Sequence, residues 1–225
     1  RGGQGGGRAR QEGRQLGLAC LMLSHCQVQS LSPAMLLALA PSLRCLQLPG
    51  NTELGQEPDA LPPELARLSL LQHLDLSGCG LTTLAPPVAA LPALKHLDLG
   101  YNSLSALPVE MACLPTLRRL DLNHNRFPAL PSCVWAATQL QHLTVGPGII
   151  AATRGFDQLH LLTPNLRRLQ IKGGLYEPSA VSGLLQLASK VLQAGSPLQV
   201  EVVVVDTPPP PFWCSDIAGR RGVRQ

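Results

Sequence analysis

The stretch LPALKHLDLGYNSLSALP, residues 91–108, decides the fold of this chain. Its leucines follow the pattern Leu-x-x-Leu-x-Leu-x-x-Asn, and a further leucine and a proline come after it. The same unit, with Asn, Cys or Gly in the ninth position, occurs seven times at intervals of 23 to 28 residues. Self-similarity at such a period predicts a repeat architecture, in which each unit packs against its two neighbours. The units begin at Leu18, Leu43, Leu71, Leu94, Leu117, Leu140 and Leu166.

The pattern inside each unit predicts one short strand. Aliphatic residues hold the first, fourth and sixth positions, and the last two alternate with polar residues at the period of a strand. The chain is 45% hydrophobic but only 3% aromatic, which suits a core that grows linearly and is filled by leucine. We therefore predict an α/β fold, a curved solenoid with a concave parallel sheet and short turns or helices on its convex side.

The middle of the chain carries the most regular units. Three of them contain Leu-Asp-Leu, and the turns that follow begin Leu84-Ala-Pro-Pro, Leu107-Pro-Val-Glu and Leu130-Pro-Ser-Cys. Residues 61–145 resemble the short-repeat intracellular class of leucine-rich repeat proteins, which includes Scribble-like and plant Ras-group-like members. This resemblance implies a signalling adaptor whose partner is a small GTPase, a phosphatase or another signalling protein.

The later units are longer. Apolar spacing over 179–194 predicts a full helix, with Ser179 as its N-cap and Gly195 as its stop. This part resembles the longer repeats of ribonuclease-inhibitor-like proteins. The β-branched run 198–205 predicts a last strand at the carboxyl-terminal edge of the sheet. The segment 55–59, inserted before the third unit, is predicted to be a surface loop.

Composition divides the chain into three parts. Residues 1–14 are rich in Gly and Arg and almost free of apolar side chains, which predicts a disordered arm. Residues 15–206 form the predicted domain of seven to eight repeats. Residues 207–225 are predicted to be a proline-rich terminator and a disordered basic tail. The run Pro208–Pro211 favours polyproline II, and it is either a solenoid end or a ligand for an SH3 or WW domain.

The net charge of +4 arises at the two ends, because residues 16–205 carry 11 basic and 11 acidic side chains. A neutral body gives no overall attraction to a phosphate backbone, so we do not expect nucleic acid as a partner. No apolar run is long enough for a membrane span. The chain opens at Arg1 rather than Met, so we expect a fragment or processed product in which a signal peptide cannot be assessed.

The seven cysteines favour a reducing compartment. They form none of the paired clusters that flank extracellular repeat arrays, and no Asn-x-Ser/Thr sequon occurs. We therefore expect a cytoplasmic monomer. Cys26 and Cys79 fall on the ninth position, where we expect a small buried side chain. Cys20 and Cys45 fall on neighbouring strands, where a disulfide is possible but two thiols are favoured.

No motif for catalysis is present. The chain lacks a Gly-x-x-x-x-Gly-Lys phosphate loop, a Gly-x-Ser-x-Gly elbow and a His-Glu-x-x-His helix. The histidines recur at the repeat interval, as stacked side chains do, and do not suggest a convergent triad. We expect neither an enzyme nor a cofactor nor a resident metal.

The third and fifth positions of each unit point out of the concave face, because they are two residues apart on a strand. Equivalent positions on neighbouring strands lie about 4.8 Å apart, so they form columns. Histidine and arginine recur in one column and aspartate in the other, which predicts an interleaved strip of acid and base. The candidate partner-binding residues are His73, Asp75, His96, Asp98, Tyr101, Arg119, Asp121, His124, His142, Arg168 and Gln170.

Other interpretations of this strip stay open. Leu-Asp-Leu is the commonest form of the repeat, and one interpretation is that the bases only neutralise a repulsive acidic column. A cation held by Asp75, Asp98 and Asp121 is a third interpretation, although no loop supplies further ligands. For the whole chain, the alternatives to a protein-binding scaffold are an inert spacer within a larger protein and an extracellular recognition domain.

Overall fold

The computed structural model describes residues 17–57, 60–159, 163–173 and 178–203. Within them, eight short parallel strands form one sheet in the order in which they occur along the chain. Each fourth-position residue lies opposite the fourth-position residue of the next strand. The predicted α/β solenoid is therefore confirmed. The strands are β1 (Cys20–Met22), β2 (Cys45–Gln47), β3 (His73–Asp75), β4 (His96–Asp98), β5 (Arg119–Asp121), β6 (His142–Val145), β7 (Arg168–Lys172) and β8 (Gln199–Val203).

Short helices connect the strands, and consecutive ones pack against each other. Proline starts several of them, since its fixed φ suits the first helical position and its missing N–H needs no partner there. None of the described helices is long and apolar enough to cross a bilayer. The α-helices are α1 (Pro33–Leu39), α2 (Ser132–Trp135), α3 (Pro147–Ala152) and α4 (Pro178–Gln193), and the 3-10 helices are Thr52–Gly55, Pro63–Arg67, Pro86–Ala90, Val109–Cys113 and Phe156–Gln158.

A single apolar core runs along the array between the sheet and these helices. In the interior units the first, fourth and sixth side chains are almost completely buried. The first unit differs: Leu18 is 44% exposed, and Leu21 and Leu23 are half-buried. Each unit covers the next one, and no described repeat precedes β1 to cover this end. The prediction that Leu18 occupies a core position is therefore only partly correct.

The longer carboxyl-terminal turn contains the predicted helix, which is α4 in the structure. The helix begins at Pro178, so Ser179 lies in its first turn and is not the N-cap; proline is well accommodated at a helix start. The stop is at Gly195, whose φ is 60° and whose N–H donates to the Leu192 carbonyl. Residues 1–16 and 204–225 lie outside the described residues, as do the predictions made for the arm, the proline run and the tail.

The predicted surface loop is partly packed. Gln56 and Glu57 are exposed, as expected of a loop, and residues 58–59 are not described. Gly55, however, donates its N–H to the Cys79 carbonyl at 2.9 Å. A Cβ on Gly55 would lie 2.2 Å from the carbonyl oxygen of Gly80, so this position requires glycine.

Buried asparagines at the ninth position join neighbouring units. Asn102 accepts hydrogen bonds from the N–H groups of Cys79 and Leu81 at 3.1 and 2.9 Å. Its amide donates to the carbonyls of Leu76 and Leu99 at 2.8 and 3.0 Å, and to that of Gly100. Asn51 and Asn125 make similar bonds. Because a turn leaves backbone groups unpaired, these side chains satisfy polar groups that would otherwise be buried without partners.

The cysteines that the structure describes are all thiols. Cys79 is buried, as predicted, and its thiol donates to the Leu48 carbonyl of the preceding unit at 3.1 Å. Cys26 is exposed, contrary to the prediction, because no described unit precedes the first one. Cys20 and Cys45 lie opposite each other as free thiols. Cys214 lies outside the described residues.

Thiol labelling checks this arrangement. Iodoacetamide should modify the exposed Cys26 and Cys113 about a hundredfold faster than the buried Cys79 in the folded protein. Burial raises the pKa of Cys79 to about 12, and its thiolate is therefore scarce as well as inaccessible. Mass spectrometry of timed samples measures the rates. In urea all three rates should converge, and persistent protection of Cys79 there would contradict the structural explanation.

Candidate partner-binding face

The predicted columns exist in the structure. The third-position residues lie opposite one another from strand to strand, and so do the fifth-position residues. From β1 to β8 the third-position column is Cys20, Cys45, His73, His96, Arg119, His142, Arg168 and Gln199, and the fifth-position column is Met22, Gln47, Asp75, Asp98, Asp121, Thr144, Gln170 and Glu201.

A groove of about 390 Å³ runs along these columns from β2 to β7. All the predicted residues line it except Tyr101 and His124. Those two rings stack on each other just beyond the ends of β4 and β5, with centroids 4.3 Å apart and planes 14° apart. Both residues have positive φ, 55° and 48°. Residues other than glycine and asparagine rarely adopt this backbone conformation. It orients the two rings beside the groove.

The three aspartates have a structural role at the ends of their strands. One oxygen of each carboxylate accepts the backbone N–H two residues further on, at 2.9 Å, in the manner of an Asx turn. The donors are Ser77, Gly100 and Asn123. This geometry favours the interpretation that aspartate is used here to form the turn. It leaves the second oxygen of each carboxylate for other contacts.

Lys172 is a member of the face that the sequence patterns did not identify. Its ammonium group lies 3.0 Å from Oδ2 of Asp121, although β6 separates their strands. The side chain reaches across because the intervening unit carries only Thr144, on β6, and Gly146, just after β6, at the corresponding positions. Asp121, Asp98 and Tyr101 raise the pKa of Lys172, opposing the effect of its partial burial. The feature that could have identified Lys172 is the greater length of β7, because a longer strand carries a seventh-position side chain on the same face.

Two histidines of the third-position column, His96 and His142, favour the neutral form. Burial lowers the pKa of His96 to about 4, and His73 and Arg119 add repulsion. Burial also lowers the pKa of His142, with contributions from Arg119 and Arg168. The rings of His73 and His96 meet edge to face with centroids 4.4 Å apart. At neutral pH, His96 and His142 therefore contribute hydrogen-bonding groups to the face instead of charge.

Charge is separated along the face, which corrects the prediction of an interleaved strip. On β3 and β4 the charged groups facing the groove are Asp75 and Asp98, with neutral His96 beside them. On β5 to β7 they are Arg119, Arg168 and Lys172, and the acid there, Asp121, is paired with Lys172. The amino-terminal half of the groove is thus acidic and the carboxyl-terminal half basic.

The pH dependence of stability should report the environment of Asp98. Burial, followed by repulsion from Asp121, raises its pKa from 3.8 to about 6. A raised carboxyl pKa costs stability once the group ionises, so the cost is absent below about pH 4 and complete above about pH 6. Asp98→Asn keeps the acceptor for the Gly100 N–H and removes the charge. It should raise the free energy of unfolding by about 1–2 kcal/mol at pH 8.

Urea denaturation of both proteins at pH 3.5 and pH 8 measures this effect. Near pH 3.5 the two proteins should be almost equally stable, because Asp98 is then mostly protonated in both the folded and unfolded states. A gain in stability that does not depend on pH would contradict the proposed cost of ionisation.

A cation among the three aspartates has no support in the structure. Within the described ranges, no group of three or more His, Cys, Asp or Glu side chains has the geometry of a metal site. Each aspartate also accepts a backbone hydrogen bond, and Lys172 occupies the second oxygen of Asp121. The ammonium group thus supplies the positive charge that a cation would have brought to this carboxylate.

Comparison with known proteins agrees with the architecture. Residues 69–127, which contain β3 to β5, match the family model for the leucine rich repeat. The fold is a leucine-rich repeat solenoid. The match covers the most regular units, and the longer units on either side of it continue the same sheet. No curated protein is significantly similar to the chain in sequence.

Solved structures include similar leucine-rich repeat proteins. A plant peptide hormone receptor, RGFR1, in complex with RGF2 is 19% identical, with 83% of this chain and 32% of the receptor covered and a TM-score of 0.47. A leucine-rich repeat protein of Leptospira interrogans is 17% identical, with 87% and 69% covered and a TM-score of 0.40. An internalin of Listeria monocytogenes is 16% identical, with 84% and 63% covered and a TM-score of 0.45. The chain spans about a third of the receptor's length.

Proposed function

We propose that this solenoid is a scaffold or adaptor that binds a protein partner on its concave face, between His73 and Arg168. The observation that carries the proposal is the groove itself: two columns of polar and charged side chains line about 390 Å³ on a rigid parallel sheet. Solenoids generally bind extended partners on such concave surfaces. The face is wide enough for a segment of several residues.

Exposed charged side chains that make no ion pair among the described residues support this proposal. Arg119 and Arg168 are exposed, and neither has an ion pair among the described residues. A surface that only neutralised its aspartates would pair these bases with them. Instead, Asp121 is paired with Lys172, and Asp75 and Asp98 lie on other strands than the arginines. Free charge of this kind can steer a partner and select it.

The proposed compartment is the cytoplasm. The cysteine spacing, which forms no paired clusters, and the lack of an Asn-x-Ser/Thr sequon in the sequence support a reducing environment. A small GTPase, a phosphatase or another signalling protein is the proposed partner class, and it rests on the resemblance of residues 61–145 to short-repeat intracellular proteins. The whole protein to which these repeats belong acts, in this proposal, as an adaptor.

Site-specific photocrosslinking tests the proposed function. A photoreactive phenylalanine analogue is placed at Thr144, in the middle of the groove, and separately at Val109, which is 70% exposed in a 3-10 helix outside it. Cells expressing each protein are irradiated, and crosslinked products are mapped by mass spectrometry. We expect a specific protein attached at position 144 and absent at position 109.

A matched pair of substitutions provides the control. Thr144→Trp fills the groove and should abolish capture of that partner, whereas Val109→Trp should leave capture unchanged. Circular dichroism must show both variants folded. If position 144 yields no crosslink, or the same products as position 109, the concave face is not the binding site and the module is better described as a spacer.

A further inference from the structure

Four arginines form a band at the amino-terminal ends of β5 and β7. Arg119 and Arg168 hold the third position, and Arg118 and Arg167 precede them in the chain. All four side chains are exposed. None has a hydrogen bond or ion pair to another side chain within the part of the chain that the structure describes.

No acidic group lies in the columns that contain this band. Second-position side chains of neighbouring units meet in line, as the 3.1 Å bond from Nζ of Lys95 to Oε1 of Gln72 shows. From β2 to β7 the second and third positions hold only basic, amide, thiol and imidazole side chains: Arg44, Gln72, Lys95, Arg118, Gln141 and Arg167, and Cys45, His73, His96, Arg119, His142 and Arg168.

The fifth positions of the same strands do not neutralise the band either. Asp121 is engaged by Lys172, and the other two are Thr144 and Gln170. Between the two arginine pairs lies His142, whose pKa is lowered by burial and then by Arg119 and Arg168. The band is therefore a patch of unbalanced positive charge with a neutral imidazole at its centre, and in the second-position column the charge continues to Lys95 of the preceding unit.

We propose that the band binds an acidic, extended segment of the protein partner, which crosses the strands with carboxylates three residues apart. Arg119 and Arg168 are two strand intervals apart, about 9.6 Å. Three residues of polyproline II, an extended conformation with three residues per turn, span about 9.3 Å and bring the next side chain back to the same side. One carboxylate can therefore meet each arginine while the segment passes over His142. This inference rests on the proposed function, and it specifies the chemistry of the partner.

A protein segment fits the band better than a nucleic acid does. The arginines that line the groove, Arg119 and Arg168, span about two strand intervals, which suits a few carboxylates and not a continuous phosphate backbone. Beyond it, on β3 and β4, Asp75 and Asp98 face the groove and repel any further negative charge. A peptide can place neutral or basic residues there, whereas a phosphate backbone cannot.

Titration with a defined peptide, followed by NMR, tests this inference. The probe is Gly-Ser-Glu repeated four times, compared with an isomer whose four glutamates are consecutive and with a Gly-Ser-Lys peptide. We expect shifts at Arg119, His142 and Arg168, about threefold weaker binding of the isomer, and no binding of the lysine peptide. The pKa of His142 should rise in the complex, because bound carboxylates offset the repulsion from the arginines.

Matched variants separate the band from general charge. Arg119→Gln with Arg168→Gln should weaken binding of the probe about tenfold, as expected when two exposed ion pairs are lost. Arg126→Gln with Arg154→Gln removes the same charge at exposed positions outside the groove and should leave the affinity unchanged. Equal effects of both pairs, or no binding at millimolar peptide, would overturn the inference.

The same variants show whether a negative result rejects the acidic segment alone or the proposed function as well. A partner that crosslinks at position 144 with equal yield in the Arg119→Gln, Arg168→Gln protein would keep the function and reject the acidic segment. A ten-nucleotide single-stranded RNA is the remaining probe. Tighter binding of this RNA than of the glutamate peptide, dependent on the same arginines, would reject a peptide in favour of nucleic acid.

Discussion

Asn102→Ala should lower the free energy of unfolding by about 3–5 kcal/mol, because the substitution leaves several buried backbone groups without partners. Asn102 is only 8% exposed. Its side chain accepts from Cys79 and Leu81 and donates to three carbonyls, so it joins two neighbouring units. Water cannot replace these bonds without opening the turn. Urea denaturation followed by circular dichroism measures the loss.

Asn165→Ala is the matched control for this substitution. Asn165 is exposed and donates one hydrogen bond, to the Thr138 carbonyl at 2.8 Å. Its removal should cost less than about 1 kcal/mol, since both groups can turn to water. If the two alanine variants were equally stable, the ninth-position asparagines would not hold the units together.

Leu99→Ala should be nearly as damaging, with a loss of about 3–4 kcal/mol. Leu99 is completely buried at the sixth position of a central unit. Removing its side chain takes apolar contacts from the core and leaves a cavity that the hydrogen-bonded sheet and stacked helices cannot close. Calorimetry or urea denaturation measures the change, which should appear without any change in the pH dependence of stability.

The control for this variant is Leu185→Ala. Leu185 lies in α4 and is 66% exposed, so truncating it removes little buried surface, and alanine is a good helix former. The expected change is within about 0.5 kcal/mol. A large loss in this variant would mean that the outer side of α4 is covered by something that the described residues do not include.

The sequence alone predicts the sheet because backbone pairing and leucine burial both repeat with the unit. Once Leu74, Leu97 and Leu120 are aligned, the neighbouring third and fifth positions are aligned as well. The columns of His73 to Arg168 and of Asp75 to Gln170 therefore followed from counting residues. The bounds of α4 were also nearly correct, since its apolar spacing and Gly195 are local signals.

The electrostatic state of the face could not be predicted in this way. Pairing of Lys172 with Asp121 depends on how far a side chain reaches over β6, which no local pattern specifies. The neutral state of His96 depends on burial and on neighbouring charges. The exposure of Cys26 depends on what precedes its unit. Each of these is a property of three-dimensional surroundings, and together they turn an interleaved strip into two halves of opposite charge.

The ion pair between Lys172 and Asp121 also bears on the shape of the array. Backbone pairing joins each unit only to the next, so bending of the solenoid changes many small neighbour distances at once. This contact instead joins β5 to β7 across the concave side, and its 3.0 Å length increases whenever those units rotate apart. It therefore opposes flattening of the arc at one defined place.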